Sequence, residues 1–230
     1  MDEFHERLAQ LRLVAVEQFG FVLAGGYAFH LHQITDRVSN DVDLFTDRFD
    51  AELFSHAEQA LLDAYQRQGL RATVGLSLDV FRQINVVDPA TGAEAVVDLG
   101  FDARDRPPVR LEVGPVLALE DVAVSKVRTL VDRQAARDFL DVHGLLTRGH
   151  FTATQLVEIT RQADPNVTSD VLAAVLERSA LPETEEYFAY GIEPDRQAAI
   201  HRDLAAAAAS STDDHEVICA TRRACLPIPS

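Results

Sequence analysis

The hydrophobic periodicity of this chain changes once, near residue 115, and that change limits the architectures open to it. Before it, short apolar runs alternate with amphipathic stretches and turn residues. Phe21-Val22-Leu23-Ala24 reads as a buried strand stopped by Gly25-Gly26, and Tyr27 to Gln33 as a helix. Val42, Leu44 and Phe45 belong to a second strand, and a long amphipathic helix over 51–68 ends at Gly69. Three β-like runs follow, 71–76, 80–87 and 93–101, the last two joined by Asp88-Pro89-Ala90-Thr91-Gly92; 109–113 reads as one more short strand. From Leu119 onward helical spacing dominates, over 119–132, 136–146, 152–162, 169–179 and 197–209, with a loose Ser-Ser-Thr-Asp-Asp break after the last. The pattern predicts an α+β fold. Its first part (1–115) carries a small mixed sheet flanked by helices, and its second (116–230) is all-helical.

Charge and cysteine content narrow the function classes. The net charge of −16 argues against a polyanionic partner unless a local basic groove exists. No apolar run approaches the ~20 residues of a membrane span, and the acidic, amphipathic start MDEFHERL is no secretory signal. The only cysteines, Cys219 and Cys225, build neither a disulfide framework nor, with His215, a complete zinc site. A reduced, cytoplasmic protein without a membrane partner is expected. Of 21 basic residues Lys126 alone is lysine, which suggests a position needing a compact point charge rather than a planar fork.

Asp41 and Asp43 stand two apart in a strand-like segment, so both side chains leave one face while Val42 and Leu44 turn to the core. Two carboxylates so placed repel each other unless a cation lies between them. Mg²⁺ (or Mn²⁺) takes hard oxygen ligands from one or two carboxylates plus substrate phosphates. Asp98, charged within an otherwise apolar strand, would complete a three-carboxylate metal site. A D-x-D pair by itself is also what a solvated strand end looks like, and Gly25-Gly26 by itself an ordinary turn. Their order is more restrictive: a strand, two glycines that let backbone N–H groups approach a triphosphate, a helix, and then the aspartates.

The run Gly25-Gly26-Tyr27-Ala28-Phe29, then Arg37-x-Ser39-x-Asp41-x-Asp43-Leu44-Phe45, resembles the first motif of the polymerase-β-type nucleotidyltransferases, and more narrowly that of the AbiEii/MenT toxin family. Ser125-Lys126-Val127-Arg128, followed by Arg133-Gln134-Ala135-Ala136-Arg137-Asp138-Phe139-Leu140-Asp141, is similar to that family's K-x(n)-R-D-x-x-D motif. The resemblance implies that Asp41 and Asp43 are metal ligands, that Lys126 contacts nucleotide phosphates, and that Asp138 is a catalytic or base-orienting carboxylate. It implies nucleotide contacts at Gly25, Gly26, Arg37 and Ser39; Ser39 reads either as a strand-entry cap or, as the resemblance implies, as a site where modification by an antitoxin would block the metal centre. Asp98 corresponds to the third strand carboxylate of the wider superfamily. Gly26 stands where many members have Ser, so backbone amides would replace a hydroxyl there.

The implied reaction is transfer of a nucleoside monophosphate from an NTP to an RNA acceptor, the tRNA 3′ end, by a toxin with a cognate antitoxin. The basic groove that RNA requires would come from Lys126, Arg128, Arg133 and Arg137, extended by Arg104, Arg106 and Arg110; the same arginines also suit surface pairing with Asp132, Asp138 and Asp141. Two alternatives stay open: a small-molecule or protein acceptor for the same centre, and a non-catalytic nucleotide-binding partner module.

Overall fold

The computed structural model describes residues 8, 11, 13–35, 41–148 and 150–223, with backbone alone at Asp41 and over 211–223. The expected nucleotide contacts Arg37 and Ser39 lie outside the described residues. The chain forms two compact units, Met1–Val122 and Ala123–Ser230, and the mixed α+β class is as expected.

The first unit is built on a seven-stranded mixed sheet: β1 (Val22–Leu23), β2 (Asp41–Thr46), β3 (Arg71–Leu78), β4 (Phe81–Val87), β5 (Glu94–Phe101), β6 (Val109–Leu111) and β7 (Gly114–Val116). Its order is β3-β4-β5-β2-β1-β7-β6. The central pair β2–β5 is parallel, whereas β1–β2 and β4–β5 are antiparallel. One face buries Val42, Leu44, Ile84, Val86, Val97 and Leu99. Helix α1 (Gly25–Leu31) follows β1, and α2 (Ala51–Arg67) follows β2.

Helix α2 starts where Asp50 accepts hydrogen bonds from the amides of Glu52 and Leu53 at 3.0 and 3.2 Å. Such a cap is worth about 1 kcal/mol. Its buried stripe is Leu53, Phe54, Ala57, Leu61, Ala64 and Tyr65, spaced to lie along one helical side. Phe54 meets Phe21 edge-on at 5.2 Å. An ion pair between buried Arg82 and half-buried Glu58, Nε to Oε2 at 2.7 Å, ties α2 to β4.

The second unit is helical throughout. It comprises the greater part of α3 (Leu119–Arg133), then α4 (Ala136–Thr147), α5 (Ala153–Ala163), α6 (Ser169–Leu176), α7 (Thr184–Phe188) and α8 (Pro194–Arg223). The buried Tyr187 on α7 donates its hydroxyl to the carbonyl of Ser179 at 2.6 Å and meets His201 of α8 edge-on.

Three local expectations change. The single strand over 109–113 is instead a hairpin: β6 and β7 pair antiparallel, and Val116 of β7 pairs with Leu23 of β1. Gly114, at φ +122°, turns the chain there. Short α7 was not anticipated; it is held by the burial of Tyr187 more than by propensity. The expected break after Ala209 is absent, because α8 runs to Arg223. Ser, Thr and Asp lower helix propensity by only tenths of a kcal/mol each, and no Gly or Pro follows Pro194 within the helix.

Gly25 carries the tightest constraint in the first unit. Its φ is +58°, and a Cβ there would lie 1.6 Å from Oδ2 of Asp43. The amide of Ala24 donates to the carbonyl of Asp43 at 2.9 Å, locking the start of α1 to β2. Gly25→Ala is therefore expected to lower unfolding stability by about 2 kcal/mol or more, from the left-handed backbone plus the overlap. Combining it with Asp43→Ala should recover about 1 kcal/mol, since only the overlap is relieved. Urea unfolding midpoints of the two single variants and the double variant check both statements.

Candidate active site

The strand register assembles the carboxylates. Asp43 on β2 pairs with Asp98 on β5, and Asp98 pairs in turn with Gln83 on β4. One step along, Asp41 is in register with Val96 and Val96 with Asn85. Directly paired residues project from one face, on strands about 4.8 Å apart. Alternation confirms which face: Val42 and Leu44 are buried on one side, while Asp43 and Asp98 are half-buried on the other. Asp43 and Asp98 thus stand side by side on the face away from the apolar core.

Adjacent carboxylates disfavour each other's ionisation unless a positive charge sits between them. Their donor set, oxygens only, suits a hard divalent cation such as Mg²⁺. Among the described residues no group of three or more His, Cys, Asp or Glu side chains is arranged to hold a metal. The third member of the expected set is Asp41, whose side chain lies outside the described residues. The backbone register places Asp41 on the same face as Asp43, two residues away.

Gly25 and Gly26 open α1 beside this pair, with the Asp43 carboxylate over Gly25. The absence of a side chain at Gly25 is what lets Asp43 occupy its position, a constraint the sequence pattern does not reveal. The nearby histidines are engaged with backbone carbonyls: His32 Nε2 lies 2.8 Å from Leu117 O, and His30 Nδ1 lies 3.1 Å from Thr35 O.

The helical unit holds the second group of expected residues. Lys126 on α3 forms an ion pair with Asp141 on α4, Nζ to Oδ2 at 2.7 Å, with the carboxylate almost fully buried. Asp138, one turn earlier, is committed elsewhere. Arg133 donates to it through both Nε (2.9 Å) and a terminal nitrogen (2.5 Å), and the amide of Ala135 donates to Oδ2 at 3.1 Å. Asp138 thus caps α4 and fixes the α3–α4 elbow, where Gln134 adopts a left-handed φ of 54°. The hydrogen bond from Arg133 to Asp138 raises the guanidinium pKa further.

Asp141 is the residue that sequence reading undervalued. The R-D-x-x-D spacing puts Asp138 and Asp141 on one side of the helix, but spacing alone does not say which of them meets the lysine. Two of the three arginines expected to extend the groove are engaged within the first unit: Arg104 pairs with Asp47 at 2.9 Å and Arg110 with Glu17 at 2.5 Å. They add little free positive charge to a basic groove.

No curated protein matches the chain in sequence. Several solved structures share its fold. JHP933 from Helicobacter pylori is 16% identical with a TM-score of 0.59, the match covering 95% of this chain and 93% of that one. MenT4, a nucleotidyltransferase toxin from Mycobacterium tuberculosis H37Rv, is 17% identical with a TM-score of 0.63, covering 91% of this chain and 83% of that one. The family described as nucleotidyl transferase AbiEii toxin, Type IV TA system, matches residues 15–214. With nearly the whole chain matched, the protein belongs to the AbiEii nucleotidyltransferase toxin family.

Proposed function

We propose that this chain is the toxin of a toxin–antitoxin pair, and that it transfers a nucleoside monophosphate from an NTP to an RNA acceptor, the 3′ end of tRNA, so blocking translation. The observation that carries this reading is the register of Asp43 against Asp98 on parallel strands beside Gly25, in a chain of a nucleotidyltransferase family. The acceptor hydroxyl oxygen forms a bond to the α-phosphorus, the bond from that phosphorus to the bridging oxygen breaks, and pyrophosphate leaves. The hydroxyl proton passes to solvent, with Asp138 as the catalytic or base-orienting carboxylate that the family resemblance implies. Asp41, Asp43 and Asp98 would hold Mg²⁺ (or Mn²⁺), which neutralises charge on the phosphates when bound. Gly25 and Gly26, with Arg37 and Ser39, would hold the nucleotide, and Lys126, oriented by Asp141, its phosphates. Catalysis of this kind is mainly positioning and charge stabilisation.

A second reading, a small-molecule or protein acceptor, is favoured by one observation. The chain has a net charge of −16, and Arg104 and Arg110 are spent on acidic partners. Among the described residues no helix is long and apolar enough to cross a membrane. NTPs and tRNA are cytoplasmic, and the proposed site of action is there.

Incubation with Mg²⁺, α-labelled NTPs and total RNA tests the proposal. The wild type should label RNA, chelation should abolish labelling, and Asp43→Asn or Asp98→Asn should lower it by about 10²-fold or more. Unlabelled RNA with wild-type protein would sink the RNA reading.

Lys126, Asp141 and Asp138 each carry a separate test. Lys126→Ala and Asp141→Asn should relieve growth arrest on expression in a bacterial host. Asp138→Asn should lower stability by about 1–3 kcal/mol, read from thermal unfolding, because it weakens the clasp on Arg133 and the cap on α4. Arrest that survives Lys126→Ala would show that toxicity has another source.

A further inference from the structure

Two amide side chains extend the carboxylate row, and nothing so far gives them a role. Gln83 is in register with Asp98, and Asn85, two residues on, projects from the same face. Asn85 is exposed and Gln83 half-buried. Neither amide is hydrogen-bonded to any described residue. The neighbouring strand makes room for them: the β3–β4 register shifts between Val74 and Ser77, and Gly75 lies in that bulge. A Cβ on Gly75 would come 3.0 Å from Nδ2 of Asn85 and 3.6 Å from Oε1 of Gln83. The Asn85 amide therefore closes over the space an ordinary side chain would fill, with the Gln83 amide beside it at ordinary contact distance. A glycine at a strand bulge often marks such a close approach.

Position on the face selects the ligand. The strand order β4-β5-β2-β1 puts Gly25, which follows β1 and touches Asp43, on one flank of the carboxylates. Gln83 and Asn85 lie on the other flank, beyond Asp98. If the triphosphate lies against Gly25 and Gly26, the group beyond Asp98 is the one that carries the attacking hydroxyl. Neutral amides offer both donors and acceptors there. They suit ribose hydroxyls and the hydrogen-bonding edge of an unpaired base, as at a single-stranded RNA end. A further phosphate would meet the field of Asp43 and Asp98.

We propose that Gln83 and Asn85 bind the terminal nucleoside of the acceptor RNA, an inference that rests on the RNA nucleotidyltransferase reading above. The test measures transfer from α-labelled NTP to total tRNA by the full chain with Mg²⁺, varying each substrate in turn. Asn85→Ala removes an exposed amide, and Gln83→Met keeps the side-chain length while deleting its hydrogen bonds. Each variant should raise KM for tRNA about five- to tenfold, the loss of one or two neutral hydrogen bonds, with KM for NTP unchanged within about twofold. Should Gln83→Met shift the melting transition, Asn85→Ala carries the test alone. A rise in KM for NTP with tRNA unaffected would assign the amides to the incoming nucleotide and overturn the inference. An unchanged KM for both substrates would overturn it as well. Wild-type protein that labels no RNA defeats the transferase reading itself, an outcome distinct from either.

Discussion

The parallel pairing of β2 with β5 brings two carboxylates into one rung of a sheet whose other face is a hydrophobic core. A one-residue slip of either strand would turn its own aspartate into the core and its own valine outward, Asp43 with Val42 on β2 or Asp98 with Val97 on β5, so the apolar burial and the candidate chemistry enforce one register. Gly25 completes the constraint. With its Cβ missing and its φ positive, it lets the start of α1 press against the Asp43 side chain. The α2 helix, clasped by Arg82 and Glu58, covers β4 from the opposite side. Each feature stabilises the same arrangement.

The helical unit applies the same economy to two aspartates three residues apart. Asp138 holds the elbow between α3 and α4 through Arg133, and Asp141 holds the ammonium group of Lys126. Both carboxylates are buried, where an unpaired charge is costly, and each has a cation within hydrogen-bonding distance. The shared sequence motif therefore places its two aspartates on different cations, Asp138 on Arg133 and Asp141 on Lys126. The bidentate geometry of arginine suits the fixed elbow, and the point charge of lysine suits phosphate contact.

Much of this was legible before any coordinates. The strands β2, β4 and β5 and the helices α2 to α6 follow from alternation and helical spacing. What spacing does not encode is pairing between distant segments. The β6–β7 hairpin reads as one strand because only the two-residue turn Glu112-Val113 interrupts it, and β7 finds β1 across more than ninety residues of sequence. Gln83 and Asn85 look like ordinary polar positions of an amphipathic strand. Only the register beside Asp98 and the bulge at Gly75 set them apart.

The sequence by itself determined the α+β class, the family resemblance later matched over residues 15–214, and the candidate carboxylates and lysine, because residue type and short-range spacing act within one strand or helix. Tertiary structure decided the partnerships: Asp43 with Asp98, Gly25 with Asp43, Lys126 with Asp141 rather than Asp138, and the amides of Gln83 and Asn85 as the row's continuation. Those depend on strand order and helix packing. Both are fixed by burying apolar faces from segments far apart in the chain, an energy that no local window of sequence contains.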